Sequence, residues 1–220
     1  SKYTVSLANG TDALEIAIKS LNIKKNSEVI LPVNTWISTA EAVLSNNLKI
    51  VFCDINLDDY SICLKDLKKK INKKTKLIMP VHLYGNPTNV ENIKKLIGKR
   101  NIKIIEDCAQ AHGARIKGKH VGTFGDIGTF SFFPGKNLGA FGDAGAIITN
   151  SKKIYNKSLR LRNHGAKLKY DHKFSGRNSR LDTIQAAVLN IKLKNYNSVV
   201  TKRNKLADLY FKNLSKIKNI

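Results

Sequence analysis

Short apolar segments alternate with helix-like segments along most of this chain, and this alternation limits the folds that it can adopt. Apolar runs at this spacing are typical of buried strands, each followed by a helix that crosses back over the sheet. The predicted strands are residues 4–8, 28–31, 49–53, 76–81, 102–106, 128–133 and 144–149. The predicted helices are residues 12–21, 38–45, 64–71, 90–98 and 152–162. The pattern predicts an α/β fold of three layers, with a mostly parallel central sheet covered by helices on both faces.

The pattern changes at Leu181, where the strand-like runs stop and apolar residues recur at helical spacing. We therefore predict one large domain over residues 1–180 and a long helical connector over residues 181–220. We expect this connector, which reaches Ile220 without an obvious stop, to lead to a smaller C-terminal domain that is largely absent from these residues. The chain enters a strand-like run at once and lacks an initial methionine, so we also expect the natural N-terminus to lie upstream of Ser1.

The formal net charge of +23 raises the question of a nucleic-acid partner, because basic clusters attract phosphate backbones. The lysines are spread along the whole chain, and aromatic residues do not interleave with the basic runs as a base-stacking surface requires. We therefore predict no specific nucleic-acid binding and a modest attraction for small anions.

The sequence also argues against a membrane span and a metal site. No apolar run approaches the roughly 18 residues that a transmembrane helix needs, and no secretion signal is evident. The cysteines are Cys53, Cys63 and Cys108, which are odd in number and lack the spacing of a metal site. We interpret them as reduced thiols, and we expect a cytoplasmic protein without a bound metal.

Lys136 and Asp107 carry the strongest chemical signal. Lys136 lies in a glycine-rich, aromatic and otherwise uncharged segment, where partial desolvation favours the neutral amine that attacks a carbonyl. Asp107 closes an apolar run, the position at which an α/β sheet presents a carboxylate to a ligand. A Schiff-base lysine and an acid for a pyridinium nitrogen are what a site for pyridoxal 5′-phosphate (PLP) requires. The alternatives are a surface lysine and an N-cap for a helix beginning at Ala109.

Three further segments are suggestive without being specific. The turn Asn9-Gly10-Thr11-Asp12 follows a strand and opens a helix, which suits a phosphate, although Thr11 or Asp12 as an ordinary N-cap explains it equally well. Trp36 follows a strand end and could stack on a flat cofactor ring, or it could be a core tryptophan. Gln110 and His112 follow Asp107 at spacings that could return them to the same cleft, where His112 is as consistent with a structural as with a functional role, and His82 is no stronger a candidate.

Taken together, these stretches resemble the DegT/DnrJ/EryC1/StrS family of PLP-dependent sugar aminotransferases, which have the aspartate-aminotransferase (type I) fold. The resemblance rests on segments that occur in the family's order and spacing, namely residues 9–14, 106–113, 130–139, 162–165 and 176–187. It covers nearly the whole chain. The family's upstream segment and its C-terminal small domain have no counterpart in these residues.

The resemblance implies a role for each of these residues. Lys136 would hold PLP as a Schiff base and then move the proton between the two carbon centres. Asp107 would pair with the pyridine nitrogen, Trp36 would stack on the ring, and Gln110 would reach the ring hydroxyl. The phosphate would be held by Gly10, Thr11, Asp12 and Ser131. Asn178 would reach the phosphate in the neighbouring subunit, which implies a homodimer.

The resemblance also implies the reaction, in which an amino group passes from glutamate or glutamine to a keto-sugar carried on a nucleotide. A PLP-dependent sugar dehydratase is the alternative within the family, but that branch carries histidine at the position of Lys136. A non-catalytic regulator or nucleic-acid binder that keeps the fold is the alternative outside it. Such a protein would have lost the catalytic pair, whereas Lys136 and Asp107 are both present.

Overall fold

A seven-stranded sheet forms the centre of the protein in a computed structural model that describes residues 1–217. Its strands are β1 (Tyr3–Leu7), β2 (Glu28–Pro32), β3 (Lys49–Cys53), β4 (Thr75–Ile78), β5 (Lys103–Asp107), β8 (Ile127–Ser131) and β9 (Gly145–Thr149). Two hairpins lie outside the sheet, formed by β6 (Arg115–Ile116) with β7 (Lys119–His120) and by β10 (Ala166–Leu168) with β11 (Asp171–His172). The helices are α1 (Gly10–Ser20), α2 (Ile37–Leu44), α3 (Leu64–Lys70), α4 (Val90–Ile97), α5 (Lys152–Leu161), α6 (Thr183–Lys194) and α7 (Tyr196–Leu214).

The sheet has the strand order β1-β9-β8-β5-β4-β2-β3. Strand β9 runs antiparallel to both of its neighbours, and every other pair in the sheet is parallel. Strands β1, β2, β3, β4, β5 and β8 therefore run in one direction, and their carboxyl ends lie at the same edge. The prediction of a mostly parallel sheet is confirmed.

Successive strand residues face opposite layers, which divides the core into two parts. In β2, Val29 and Leu31 belong to one buried cluster with α1 and α2, whereas Ile30 belongs to a second cluster with α3 and α4. Strand β5 follows the same rule, with Ile105 in the first cluster and Ile104 in the second. This two-sided burial explains the continuous apolar runs and confirms the three-layer architecture.

All seven predicted strands and all five predicted helices are present, with shifts at their ends. Strand β4 stops at Ile78 instead of Val81, and Val81 forms only an isolated bridge to Asp107. Pro80 interrupts this segment and cannot donate to a neighbouring strand. The two hairpins were not predicted, because their strands span only two or three residues and carry no apolar period.

The C-terminal segment forms two consecutive helices, α6 and α7, which meet at Asn195. Tyr196 is the first residue of α7, and its side chain is buried. Its hydroxyl donates a hydrogen bond of 2.8 Å to the backbone carbonyl of His112. The division into a large domain and a connector stays a prediction, and residues 218–220 lie outside the described part of the chain. Within residues 1–217, no helix has both the length and the apolar character that a membrane span requires.

Candidate active site

The carboxyl edge of the sheet gathers almost all of the predicted site residues. Each lies at or just beyond the end of a strand that points toward this edge, where open α/β sheets bind their ligands. Gly10, Thr11 and Asp12 follow β1, and Trp36 follows β2. Strand β5 ends at Asp107 and is followed by Gln110. Strand β8 ends at Ser131 and is followed by Lys136. The topology thus brings together residues that are far apart in sequence.

Asp107 is a buried carboxyl group with fixed hydrogen-bond partners. Its Oδ2 accepts from the Thr39 hydroxyl at 3.0 Å, and its Oδ1 accepts from the backbone N–H of Ala109 at 3.0 Å. Burial raises the pKa of Asp107, although these two hydrogen bonds and the charge of Lys136 offset part of the rise. A cation beside this carboxylate would lower the pKa again, so the site favours a positively charged ligand atom. The alternative role as a helix N-cap is wrong, because turns follow Asp107.

Thr39 was missed by the sequence analysis, and it contacts Asp107 from α2. Its buried hydroxyl also lies 2.8 Å from the Thr35 hydroxyl, so a short chain of polar groups leads away from the carboxylate. Residues 35 and 39 are four positions apart in sequence, with only Thr39 inside α2, and nothing in that spacing indicates a contact with a residue on β5. The contact depends on how α2 packs against the sheet.

Lys136 is half-buried on the loop after β8, and its backbone N–H donates to the carbonyl of Phe133 at 2.8 Å. Its charge acts on Asp107 and also on His112, so the three side chains share one electrostatic environment. Burial lowers the pKa of His112 to about 4, and the Lys136 charge adds to this shift. At neutral pH, Lys136 therefore has an uncharged imidazole for a neighbour.

The turn between β1 and α1 has the geometry of a close-approach loop. The N-cap of α1 is Asn9, which accepts from the backbone N–H of Asp12 at 2.7 Å, so neither Thr11 nor Asp12 caps the helix. A Cβ added to Gly10 would lie 2.6 Å from the Cβ of Ser131, so this position has no room for a side chain. The N–H groups of Gly10 and Thr11 have no acceptor within the helix, since they belong to its first turn.

The two side chains beside Gly10 have partners of their own. The Thr11 hydroxyl donates to the Ser38 hydroxyl at 2.8 Å. The Asp12 carboxylate forms an ion pair with Arg177, at 2.6 Å. Gly10, Thr11 and Ser131 remain together at the helix terminus, whereas Asp12 directs its carboxylate to Arg177. A phosphate role for these residues stays a prediction.

Trp36 and Gln110 border the same edge. Trp36 is 69% exposed at the N-terminus of α2, so the alternative of a core tryptophan is wrong. Gln110 is half-buried, and its Oε1 accepts from the backbone N–H of Tyr84 at 2.8 Å. Stacking of Trp36 on a cofactor ring, and contact of Gln110 with a ring hydroxyl, stay predictions.

Glu106 and His82 form a buried pair that the sequence analysis did not assign. Their side chains are fully buried and 3.0 Å apart. His82 Nδ1 accepts from the backbone N–H of Thr88 at 3.0 Å, so Nε2 must carry the proton and donate to Glu106. The sequence signal for such a buried network was Glu106, a charged residue directly after the apolar pair Ile104-Ile105.

The Glu106 carboxylate also accepts backbone N–H groups from the loop before β8. These donors are Gly122 at 2.8 Å, Phe124 at 2.7 Å and Gly125 at 2.5 Å. Burial alone would raise the pKa of Glu106, but the hydrogen bonds from His82 and this loop outweigh burial and lower it. Cys108 lies beside the pair, but both His82 nitrogens and both Glu106 oxygens are already engaged. The cluster is therefore a structural network that fixes the end of β5.

Asn178 lies apart from the other predicted residues. It is exposed and forms an isolated bridge to Asn163. Its neighbour Ser179 is buried and accepts from the backbone N–H of Ala8 at 3.3 Å, close to the turn that carries Gly10. A contact between Asn178 and a neighbouring subunit stays a prediction.

Comparison with known proteins identifies the family to which this arrangement belongs. The family model for the DegT/DnrJ/EryC1/StrS aminotransferase family matches residues 1–220, and the chain belongs to that family. One relative, the dTDP-3-amino-3,6-dideoxy-alpha-D-galactopyranose transaminase of Aneurinibacillus thermoaerophilus, is 44% identical over 214 residues, 97% of this chain and 59% of its own length. The chain thus spans about three-fifths of that relative.

Two solved structures show the same fold. The S. venezuelae DesV structure, in complex with a ketimine intermediate, matches with a TM-score of 0.95 and 38% identity, over 98% of this chain and 58% of that one. The E. coli GDP-4-keto-6-deoxy-D-mannose-3-dehydratase, with bound hydrated PLP, matches with a TM-score of 0.94 and 29% identity, over 98% and 62%. The chain therefore has the PLP-transferase type I fold, as the sequence predicted.

Proposed function

We propose that this chain forms the cofactor-binding part of a PLP-dependent aminotransferase. Its reaction would move an amino group from glutamate or glutamine to a keto-sugar carried on a nucleotide. The observation that carries the proposal is the buried Asp107 carboxylate on the same sheet edge as Lys136, within reach of its charge. Family membership and the relatives' activities support it.

The residues present fit PLP at three points. Asp107 supplies a buried carboxylate for a protonated ring nitrogen. The close approach of Gly10 to Ser131 leaves backbone N–H groups and a hydroxyl for a phosphate. Lys136 supplies a primary amine on a loop at the same edge. When bound, the cofactor supplies an aldehyde carbon that accepts an amino group and a ring that accepts an electron pair.

Two groups of the protein would have different roles: Asp107 would stabilise positive charge on the cofactor ring, and Lys136 would transfer protons. Asp107 would hold a proton at the ring nitrogen, because its carboxylate is buried and little screened by water. Lys136 Nζ would serve as the base that accepts a proton from the donor carbon and the acid that returns it to the neighbouring carbon. Thr39 and Ala109 hold the Asp107 carboxylate in place by hydrogen bonds to both of its oxygens.

The dehydratase alternative rests on the likeness to the E. coli dehydratase. Lys136 argues against it, because the sugar dehydratases carry histidine at this position. We propose in addition that the protein is a cytoplasmic homodimer, and that Asn178 completes the phosphate site of the neighbouring subunit. Exposed Asn178 and Trp36 leave room for such a contact.

Covalent labelling tests the proposal directly. The protein incubated with PLP should gain a visible absorption band, and borohydride reduction should fix the label on Lys136. Lys136→Ala should lose the label, and Lys94→Ala, a change at an exposed position on α4, should keep it. A label on another lysine, or the absence of any band, would refute the proposed function.

A further inference from the structure

Tyr84 has an unusual backbone conformation next to the candidate site. Its φ of 56° and ψ of 16° place it in the left-handed region, and Gly85 follows with a φ of 84°. Aromatic residues seldom adopt this conformation, because Cβ then approaches the following carbonyl oxygen. Strained residues of this kind persist where the surrounding structure holds them, and they cluster at functional sites.

Contacts on both sides hold the turn in place. The carboxamide Nδ2 of Asn86 donates to the backbone carbonyl of Asp59 at 2.8 Å, and its backbone N–H donates to the carbonyl of Leu83 at 2.9 Å. The ring of Tyr84 meets that of Tyr60 edge to face, with centroids 6.0 Å apart. Tyr84 is nonetheless 72% exposed, so its side chain is not what requires the conformation.

The left-handed conformation determines where the backbone N–H of Tyr84 points. That N–H donates to the side chain of Gln110 at 2.8 Å. A backbone N–H can only donate, so the carboxamide atom that faces it must be the oxygen. The opposite end of the Gln110 carboxamide, the NH₂ group, is then free to donate. No acceptor for it lies within hydrogen-bond distance in residues 1–217.

The same turn is also tied to Asp107. The backbone N–H of His82, two residues before Tyr84, donates to the backbone carbonyl of Asp107 at 3.0 Å. One short segment therefore contacts both the acid that ends β5 and the glutamine three residues beyond it. These are the two groups that would face the nitrogen and the hydroxyl of a pyridine ring.

We propose that Tyr84 is a positioning residue that sets the polarity of Gln110. Its left-handed backbone holds Oε1 of Gln110, so that Nε2 is presented as a donor to an acceptor oxygen, the deprotonated ring hydroxyl of PLP. This inference rests on the proposed function, since it concerns the same cofactor. It assigns a role to the backbone of Tyr84, for which its phenol ring is not needed.

Two substitutions at one position separate backbone from side chain. Tyr84→Gly and Tyr84→Val both remove the ring, but glycine adopts the left-handed conformation freely and a β-branched residue does not. Tyr84→Gly should keep the dissociation constant for PLP within about twofold of the original. Tyr84→Val should raise it about fivefold, which corresponds to one hydrogen bond of ordinary strength. Melting of the cofactor-free variants reports any general loss of stability.

Gln110→Glu tests the polarity itself. A carboxylate can still accept from the Tyr84 N–H but cannot donate to an oxygen. PLP affinity should fall at least about tenfold, as expected for a lost hydrogen bond to a charged group. The pH midpoint of the cofactor's visible band should also rise by about one unit, because added negative charge stabilises the protonated form.

The outcomes distinguish this inference from the proposed function. A protein that binds no PLP overturns both. The unchanged protein could bind PLP normally while Tyr84→Val and Tyr84→Gly have equal PLP affinities and equal pH midpoints of the visible band. That result overturns the role of Tyr84 and leaves the proposed function standing. An unshifted band in Gln110→Glu overturns the donor role of Gln110.

Discussion

Replacing Asp107 with asparagine removes the charge of this side chain and keeps its shape. The asparagine carbonyl can accept from the N–H of Ala109, as Oδ1 does now at 3.0 Å. Its NH₂ group can donate to Thr39, whose hydroxyl can turn toward the hydroxyl of Thr35, 2.8 Å away. Both hydrogen bonds of the buried group are therefore retained, and the substitution should leave the fold unchanged.

The expected loss is in rate. Without the negative charge, the ring nitrogen of the cofactor is not held protonated and the ring is a poorer electron acceptor. Removal of one preorganised electrostatic group from an active site costs about 10²–10³ in rate, or about 2.7–4 kcal/mol in barrier. The burial of Asp107 excludes the water that would otherwise screen it, so we expect a loss of at least this size.

Single-turnover rates with the amino donor and with the keto-sugar are the measurement, and both half-reactions should slow by a similar factor. Asp126→Asn is the control, because Asp126 is a partly exposed acid away from the carboxyl edge that pairs with Lys103 and accepts from the backbone N–H of Ile104 at 2.9 Å. The control should remain within about twofold of the original rate, because asparagine can still accept from Ile104 and the partly exposed ion pair with Lys103 contributes little energy. A rate for Asp107→Asn within about threefold of the original would refute the electrostatic role that we assign to Asp107.

The same substitution, which should slow the reaction, should make the cofactor-free protein more stable. Burial raises the pKa of Asp107 in the folded state, so ionisation of this group opposes folding. Below the pKa of the unfolded state, about 3.9, Asp107 is protonated in both states and its ionisation does not destabilise the fold. The destabilisation grows as the pH rises from there through the folded pKa, and it is complete above that pKa. Asp107→Asn should therefore melt at a higher temperature than the original at neutral pH, and the difference should shrink toward pH 4. An equal difference at both pH values would contradict this linkage.

Three further predictions concern the rest of the site. Mixing Lys136→Ala with Asn178→Ala subunits should restore activity above that of either parent, because one site per heterodimer then lacks both changes; no recovery would refute a shared site. Gly10→Ala should lower the unfolding free energy by about 1–3 kcal/mol in denaturant titration, since its Cβ would lie 2.6 Å from that of Ser131; an unchanged midpoint would argue against this close approach. His112→Phe should raise the unfolding free energy of the cofactor-free protein by about 1 kcal/mol, because both ring nitrogens are buried and neither has a partner with hydrogen-bond geometry among residues 1–217; a lower value would show that the imidazole has a partner, for which the nearby backbone of Ser131 is the candidate.

The sheet could be predicted from the sequence because its strands are buried on both faces. A run such as Ile104-Ile105 has no polar side to present to water, and each residue of the pair belongs to a different core cluster. The end of such a run marks the sheet edge, and this is why Asp107 was identifiable as a candidate, whereas Lys136 was identifiable from its uncharged, glycine-rich segment. The hairpin Arg115–His120 has no comparable burial and left no signal.

The supporting contacts of the site could not be predicted, because they join distant segments. Thr39 meets Asp107 across 68 residues of sequence. Arg177 pairs with Asp12 across 165 residues. The N-cap of α1 could not be predicted for a different reason, because the stretch after β1 offers several residues that can cap a helix. Thr11 and Asp12 were considered, but Asn9 is the N-cap. Asn9 takes that role because the helix already begins at Gly10, where the absence of a side chain lets the chain approach Ser131.

The contact between Tyr196 and His112 has a mechanical consequence. The residue after His112 is Gly113, whose φ of 81° already disfavours any side chain, and a Cβ there would lie 3.1 Å from the Tyr196 ring and 3.2 Å from Val200. The first turn of α7 therefore packs close to the loop beyond Gln110, with little room for a side chain at residue 113. We therefore expect a displacement of α7 to move this loop as well, which would couple the position of the C-terminal helix to the edge of the candidate site.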